Sequence, residues 1–400
     1  MIITIVLLIN FPIFMVTYRV DPDEDRNTVE LIESRGYIAQ THKVETIDSY
    51  VLTIYRIVNK PKDGPIHQPV VLQHGLLMSS DDFLIASPGG GMVKDNVTGE
   101  MIPSSNLGFV LAAYGYDVWL PNIRGNRYSL EHKFIPSTDH RFWRFSYDEM
   151  IEYDVPAIIE YVLGVTRREK LAWIGHSQGG MVMFGHLSQH PEQSEKIKPF
   201  IGLAPVTRII EPLAGVQLLT RFNYLGETIL PNFNLLDLKP STIDVMKTAC
   251  DAVGESMCFN QLFSMMAEHI NLTRLPVIIA HYPSGTSMRN VLHLGQNVRS
   301  GFFRKFNFGL KNYFIYGKFT PPTYNLSKIV NHHIILWSAP NDALSTPKGI
   351  QFIRDSLTVQ PLADEVVPDD RYNHADFTFA ANSGKLVYQK LIQYMNQYAE

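Results

Sequence analysis

The sequence is poor in cysteine and in charged residues, and these shortages argue against several classes of protein. It contains only two cysteines among 400 residues, a charged fraction of 18% and a formal net charge of −4. No basic run could form a phosphate-binding stripe, so we expect no nucleic-acid partner. Internal repeats and low-complexity tracts are also missing, which argues against a solenoid or a disordered chain. The 45% hydrophobic content is instead that of a globular protein with a large core.

The two cysteines, Cys250 and Cys258, lie eight positions apart. No Cys or His pair with the spacing of metal ligands surrounds them, so they do not predict a metal site. In an oxidising compartment a disulfide closing a short loop is favoured. Two buried free thiols are the alternative.

Long apolar runs are confined to the N-terminus, where residues 1–17 are mostly apolar and the acidic run Asp21 to Asp25 follows. This pattern predicts a signal peptide, with an uncleaved membrane anchor as the alternative because no Lys or Arg precedes the run. Sequons at Asn96, Asn271 and Asn325 would be glycosylation sites in the secretory pathway. We therefore expect a protein that is secreted or lies in the lysosomal lumen.

Short apolar runs, rich in β-branched and aromatic residues, recur along the chain with helix-like patterns between the first of them. The alternation predicts an α/β fold with a mostly parallel central sheet, flanking helices and right-handed crossovers. Ser146 and Glu149 form a capping box that predicts the start of one of those helices. The predicted strands are Tyr50 to Val58, Val70 to Leu72, Tyr116 to Leu120, Leu171 to Ile174, Phe200 to Leu203 and Ile334 to Trp337.

The alternation stops in residues 207–330, which are rich in Leu, Phe and Met. We interpret this segment as a mainly helical cap or lid inserted into a core made of residues 18–206 and 331–400. The segments Leu218 to Phe233 and Phe259 to Ile270 carry more apolar side chains than a solvated helix would. Core packing explains them by default, but their position also suits a cover over a pocket.

Candidate catalytic residues begin with Ser177 in the pentapeptide GHSQG, Gly175 to Gly179, which fits G-x-S-x-G. In that motif a sharp strand-to-helix turn exposes the serine hydroxyl, and larger side chains at the glycines would collide with the adjacent strand and helix. A serine in an ordinary turn is the alternative, since the short motif also occurs by chance. The preceding apolar run, Leu171 to Ile174, favours the nucleophile.

A nucleophilic serine needs a base and an acid that orients the base, in the chain order Ser, Asp, His on this fold. Asp342 lies in the loop that follows the predicted strand Ile334 to Trp337. His374 comes 32 residues later, before the C-terminal helical pattern of Leu386 to Tyr398. We therefore predict Asp342 as the acid and His374 as the base.

Other acidic residues and histidines fit these roles less well. Asp376, Asp369 and Asp370 lie close to His374 in sequence but follow no core strand, and a surface role suits the latter two. His332 and His333 precede their strand, which places them at the wrong end of the sheet.

An oxyanion hole requires two N–H donors that face the attacked carbonyl. One is expected from Gln178, which follows the nucleophile, and the other from Leu76, in the loop after an early strand. The side chain of His74 could hold this loop in place or contact substrate.

Together these motifs resemble the acid lipase family of α/β-hydrolases, the gastric and lysosomal lipases and their invertebrate relatives, from about Asp21 nearly to the end. The matching segments are HGLLMSS (74–80), YGYDVWLPNIRGNRYSLEH (114–132), FWRFSYDEM (142–150), GHSQGG (175–180), HYPSGTS (281–287), NDALSTP (341–347) and NHADF (373–377).

The resemblance implies that Ser177, Asp342 and His374 form the catalytic triad, with Leu76 and Gln178 as the oxyanion hole. It also implies a disulfide between Cys250 and Cys258 and acylglycerol or cholesteryl ester substrates. Two features depart from the family. Residues Gly89 to Ser105 are longer than its usual connection, and Ser338-Ala339-Pro340 replace the glycines that usually precede the acid.

The expected reaction is hydrolysis of neutral-lipid esters through an acyl-enzyme on Ser177, with no metal or organic cofactor. The expected partner is a neutral lipid at an emulsion, membrane or lipoprotein surface, without an obligatory protein partner. A carboxylesterase or thioesterase acting on smaller substrates is one alternative. A non-catalytic lipid-binding protein is the other, but such a protein is expected to lose one of the three catalytic residues.

Overall fold

The computed structural model describes residues 21–58, 68–210, 234–235 and 267–398. Its centre is one sheet of eight main strands, with the two-residue strand Glu131–His132 paired beside the second of them. The main strands are β1 (Ile38–Glu45), β2 (Tyr50–Val58), β3 (Pro69–Gln73), β4 (Asp117–Pro121), β5 (Leu171–His176), β6 (Ile197–Leu203), β7 (Ile334–Ser338) and β8 (Ala363–Val366).

The strand order is β1-β2-β4-β3-β5-β6-β7-β8. The pairs β1/β2 and β2/β4 are antiparallel, and every pair from β4 to β8 is parallel. The predicted α/β fold is therefore confirmed, and each predicted strand is present with bounds shifted by no more than three residues. Because the carboxyl ends of parallel strands meet at one edge, the loops after β3, β5 and β7 lie together there.

Helices cover both faces of the sheet. Along β3 the side chains alternate, so Val70 and Leu72 pack into one core while Val71 packs into the other. Among the described residues, the helices of seven or more residues are α1 (Thr28–Ser34), α2 (Leu107–Ala113), α3 (Val155–Thr166), α4 (Gln178–Gln189), α5 (Leu275–His281), α6 (Met288–Ser300), α7 (Pro347–Ser356) and α8 (Gln389–Tyr398).

The predicted capping box starts a helix as expected. The Ser146 side chain accepts from the backbone N–H of Asp148, and the Glu149 carboxylate accepts from the backbone N–H of Ser146. A π-helical turn, Met150–Asp154, then leads into α3. This helix buries an apolar face, including Ile158 and Val162, against the sheet.

The described part of the predicted cap, residues 267–330, contains α5, α6 and a short helix, Asn312–Tyr316. A strand at Thr286–Ser287 pairs with Asn234–Leu235. Residues 267–270 are not helical. Several predicted features lie outside the described residues: the signal peptide (1–17), the apolar segment Leu218 to Phe233, most of the apolar segment Phe259 to Ile270, and the cysteines Cys250 and Cys258. The domain boundaries therefore stay predictions.

The long connection Gly89 to Ser105 forms a β-hairpin, in which Met92–Lys94 pairs with Met101–Pro103. It packs on the segment that follows the His374 loop, where the Ser105 hydroxyl donates to the carbonyl of Ala381 at 2.8 Å. The sequon residue Asn96 is exposed in the turn of this hairpin.

Within the described ranges, none of the helices combines the length and the apolar character needed to cross a membrane.

Candidate active site

The strand-to-helix turn at Ser177 has the geometry that its glycines predict. Strand β5 ends at His176 and α4 begins at Gln178, and Ser177 between them has φ 55°. A Cβ on Gly175 would lie 2.4 Å from the backbone of Gly179, and a Cβ on Gly179 would lie 2.2 Å from the carbonyl oxygen of Gln73. Glycine is therefore required at both positions, and the turn presents the Ser177 side chain at the carboxyl edge of the sheet.

The three residues predicted to act together are within hydrogen-bond distance. His374 Nε2 lies 2.7 Å from Ser177 Oγ, and His374 Nδ1 lies 2.8 Å from Asp342 Oδ2. All three side chains are buried. The Asp342 carboxylate also accepts from the backbone N–H groups of Leu344 and Ser345, at 2.8 and 2.7 Å. These bonds fix the carboxylate against the imidazole despite the Ser-Ala-Pro sequence before it.

Asp376, the nearest sequence competitor for the acid role, is used differently. Its carboxylate accepts from the backbone N–H groups of Asn373, Glu268 and His269, at 2.8, 3.0 and 2.9 Å. It thereby joins the His374 loop to residues 268 and 269 of the predicted cap.

The surface role predicted for Asp369 needs a correction. Its carboxylate lies 3.0 Å from His269 Nε2 and is only 24% exposed, so it also supports the cap segment. Asp370 is exposed, as predicted, and His332 is exposed before β7.

His176, the residue before the nucleophile, was not singled out by the sequence. Its Nε2–H donates to the backbone carbonyl of His374 at 3.0 Å, and the two rings are 5.0 Å apart. Complete burial lowers the pKa of His176 to about 3, so the ring stays neutral, and the carbonyl acceptor selects the tautomer that carries its proton on Nε2. The turn that holds the nucleophile is thus bonded directly to the loop that holds the base.

The predicted oxyanion donors lie beside the nucleophile. Gly75, which precedes Leu76, is so close to Ser177 that a Cβ on it would lie 3.0 Å from the serine Cβ. Among the described residues, no protein acceptor is recorded for the N–H of Leu76 or for that of Gln178. Both donors are therefore available to a ligand oxygen, as an oxyanion hole requires.

His74 holds the oxyanion loop from within. Its Nδ1–H donates to the carbonyl of Gly75 at 2.8 Å, and its Nε2 accepts from the N–H of Ile123 at 3.3 Å and from the amide of Asn126 at 3.2 Å. Burial lowers the pKa of His74 to about 4, which keeps the neutral form that these bonds need. Of the two roles left open by the sequence, the bonds favour loop support.

The side chain of Gln178 contacts the cap. Its Nε2 donates to Asn290 Oδ1 at 3.0 Å, and the amide of Asn290 in turn donates to Thr286 Oγ1 at 3.1 Å. Thr286 lies in the motif HYPSGTS, but no motif or pattern in the sequence pointed to Asn290. These bonds attach the first turn of α6 to the residue that follows the nucleophile.

A buried polar cluster lies behind the oxyanion loop. Asp81 accepts from Tyr128 Oη at 2.7 Å and pairs with His281 at 2.9 Å. These partners outweigh the burial of Asp81 and lower its pKa, whereas burial raises the pKa of the adjacent Asp82 to about 7. Below about pH 7 the two neighbouring carboxyls therefore differ in charge, with Asp81 ionised and Asp82 mostly protonated.

No group of three His, Cys, Asp or Glu side chains that could hold a metal ion occurs in the described parts of the chain.

Comparison with known proteins gives the family. The chain is 35% identical over 397 residues to the gastric triacylglycerol lipase of Bos taurus, a match covering 94% of this chain and 92% of that protein. The lysosomal acid lipase/cholesteryl ester hydrolase of Homo sapiens is 33% identical, with 95% and 93% covered. The chain belongs to the acid lipase family of α/β-hydrolases. Its members are ester hydrolases, so this chain is a serine ester hydrolase of the lipase type.

Family models and solved structures agree with this assignment. Residues 28–87 match the partial alpha/beta-hydrolase lipase region, and residues 68–238 match the alpha/beta hydrolase fold. The fold is similar to that of a monoglyceride lipase from Saccharomyces cerevisiae, with a TM-score of 0.51 at 13% identity, covering 90% of this chain and 96% of that one.

Proposed function

We propose that this protein hydrolyses the carboxylic esters of neutral lipids, triacylglycerols or cholesteryl esters, through an acyl-enzyme on Ser177. The observation that carries the proposal is the continuous line of hydrogen bonds from Ser177 Oγ through His374 to Asp342. The named substrates of the gastric and lysosomal relatives, which match nearly the whole chain, support this substrate class.

In the first half of the reaction, His374 Nε2 takes the proton of Ser177 as the serine oxygen attacks the ester carbonyl. The N–H groups of Leu76 and Gln178 then stabilise the negative charge on the carbonyl oxygen. His374, held in the required tautomer by Asp342, gives its proton to the leaving alcohol. Water attacks the acyl-enzyme with the same histidine as base, and the fatty acid leaves. No step needs a metal or an organic cofactor.

The place of action belongs to the same proposal. An apolar N-terminal run in residues 1–17 and sequons at Asn96, Asn271 and Asn325 support export, with the mature protein secreted or in the lysosomal lumen. Asn96 and Asn325 are exposed and Asn271 is half-buried, so the described structure is compatible with glycans there. A disulfide between Cys250 and Cys258 and a cap spanning residues 207–330 complete the proposed mature protein.

The test is hydrolysis of an emulsified long-chain triacylglycerol, a cholesteryl ester and a soluble short-chain ester by the purified protein and by its Ser177→Ala variant. Ser188→Ala is a matched control, because Ser188 is a buried serine in α4, the helix that follows Ser177, and its hydroxyl donates to the carbonyl of Gly185 at 2.7 Å. We expect Ser177→Ala to lose activity on every ester and Ser188→Ala to keep it.

The choice of ester separates the alternatives. Turnover of the short-chain ester without the emulsified lipids would identify a carboxylesterase instead. Turnover of none of them by the wild type would contradict the proposal and leave a lipid-binding role.

A further inference from the structure

Exposed apolar side chains are concentrated in one short segment. Five of the fifteen large hydrophobic residues that are exposed in the described structure lie within ten positions: Leu310, Tyr313, Phe314, Ile315 and Phe319. We call these five the apolar patch. Leu310 is 83% exposed and Phe314 is 86% exposed. Single exposed apolar residues are ordinary, but a contiguous group marks an interaction surface.

Hydrogen bonds from two polar side chains, those of Asn312 and Tyr316, fix the backbone of the segment that carries the patch. The buried Asn312 side chain accepts from the N–H of Phe308 at 2.8 Å and donates to Asn307 Oδ1 at 2.7 Å and to the carbonyl of Phe319 at 2.8 Å. The hydroxyl of Tyr316 donates to the carbonyl of Phe306 at 2.9 Å. These bonds hold the backbone of the segment in place while the apolar side chains of the patch stay exposed. The exposure is therefore a property of this fixed turn of chain.

The chain segment that carries the patch has charged residues of one sign, although the Asp148 carboxylate from another segment accepts from the backbone N–H of Phe306 beside it at 2.8 Å. From His269 to Asn341 the sequence contains no Asp or Glu but eight Lys or Arg residues, in a protein whose net charge is −4. Two of the eight, Lys311 and Lys318, are exposed within the patch segment. Aromatic side chains with flanking lysines suit the boundary of a lipid surface that carries negative charge.

The patch is also connected to the candidate active site. The guanidinium of Arg289 lies 5.8 Å from each of the rings of Phe306 and Phe308, the residues that support the patch. The next residue along α6, Asn290, is hydrogen-bonded to Gln178 beside the nucleophile. Consecutive residues of α6 thus link the residues behind the patch to the residue that follows the nucleophile.

We propose that the apolar patch, with Lys311 and Lys318, docks this protein onto an anionic lipid surface. The inference rests on the proposed function, because it describes how that site reaches its substrate. The patch side chains enter the boundary between headgroups and acyl chains, and the lysines contact the headgroups.

Binding is measured by cosedimentation of the full-length Ser177→Ala protein, which cannot consume lipid through that residue, with phosphatidylcholine vesicles containing roughly one fifth phosphatidylserine. We expect Leu310→Ser/Phe314→Ser to lower the partition coefficient on the order of tenfold to a hundredfold. Lys311→Gln/Lys318→Gln is expected to lower it about tenfold at low salt, and to have little effect on pure phosphatidylcholine.

The matched control is Val165→Ser/Val330→Ser. Val165 and Val330 are 43% and 50% exposed and precede β5 and β7, so they lie towards the opposite edge of the sheet from Ser177. This control is expected to bind vesicles like the Ser177→Ala parent. Unchanged binding in the Leu310→Ser/Phe314→Ser protein would overturn the docking proposal, as would a concentration-dependent dimer of the parent that this change dissolves.

Different experimental results would contradict the docking proposal and the proposed function. In proteins that keep Ser177, the patch changes are expected to slow hydrolysis of emulsified lipid and to leave hydrolysis of a soluble short-chain ester unchanged. Patch-dependent vesicle binding by a protein that hydrolyses no lipid ester would support the docking surface while contradicting the proposed function. If the patch changes lowered the rate of hydrolysis equally for the soluble and the emulsified esters, the proposal that the patch acts only in docking would be overturned.

Discussion

The imidazole of His176 donates a hydrogen bond to the backbone carbonyl of His374, with a nitrogen-to-oxygen distance of 3.0 Å. Ser177, the proposed nucleophile, follows His176 in the sequence. The carbonyl that accepts the bond belongs to His374, the proposed base. This bond therefore links the position of the base to that of the nucleophile, beside the bonds that Asp342 makes to the base. His176 is a positioning residue, because its bond reaches the reaction only through His374.

Replacing His176 with Phe keeps a ring of similar size and removes the donor. We expect kcat on a soluble ester to fall about tenfold to a hundredfold, because a small displacement of a catalytic group is costly, with KM little changed. The matched control is His186→Phe, since His186 is also buried and makes a comparable bond to the carbonyl of Ile151 at 3.2 Å. Equal losses of kcat in both variants would argue for a general packing effect.

Asn substitutions distinguish the two aspartates near His374. Asp342→Asn is expected to lower kcat about ten-thousandfold with little change in melting temperature, because the amide favours the wrong imidazole tautomer. Asp376→Asn places an NH2 group against backbone donors, so it is expected to cost roughly 1–3 kcal/mol of unfolding free energy. Its effect on kcat is expected to be far smaller. Steady-state kinetics and urea unfolding of both variants measure the contrast, and the opposite pattern would exchange the two roles.

The raised pKa of Asp82 predicts how the free energy of unfolding depends on pH. Burial raises its pKa from 3.8 to about 7, so between these values the folded protein binds one proton more than the unfolded chain. Its contribution, on the order of a few kcal/mol, is complete below about pH 4 and is lost as pH rises through 7. Asp82→Asn, which is neutral at every pH, is expected to flatten the fall in melting temperature over that range.

The control for Asp82 is Asp370→Asn, which removes an exposed carboxyl and is expected to keep the wild-type pH dependence. Parallel melting curves for the Asp82→Asn protein and the wild type would show that Asp82 does not take up this proton.

Two glycines give opposite predictions for the same substitution. Gly175→Ala puts a Cβ 2.4 Å from the backbone of Gly179, so we expect loss of activity and a destabilised fold. Gly164→Ala lies within α3 and meets no atom within 4 Å, so it is expected to stabilise the protein by about 0.5–1 kcal/mol. Urea unfolding and ester hydrolysis test both, and normal activity of Gly175→Ala would contradict the tight turn.

The sequence alone was enough to predict the fold class, six of the eight main strands and the order of the proposed catalytic residues, but not the edge strands β1 and β8. These features are local or periodic. Buried parallel strands appear as apolar runs, and Ser177, Asp342 and His374 each stand at the end of a strand or before a helix. The carboxyl ends of β5 and β7 had to meet, because parallel strands share an edge.

Only the tertiary structure determined which side chains support that arrangement. The bonds from His176 to His374 and from Gln178 to Asn290 join residues that are 198 and 112 positions apart. The same holds for the role of Asp376, whose partners arrive from the cap segment. Such contacts depend on how loops pack after the sheet has formed, and no periodic pattern encodes them. The sequence determined the elements that bring the proposed catalytic residues to one edge, and loop packing decided how they are held there.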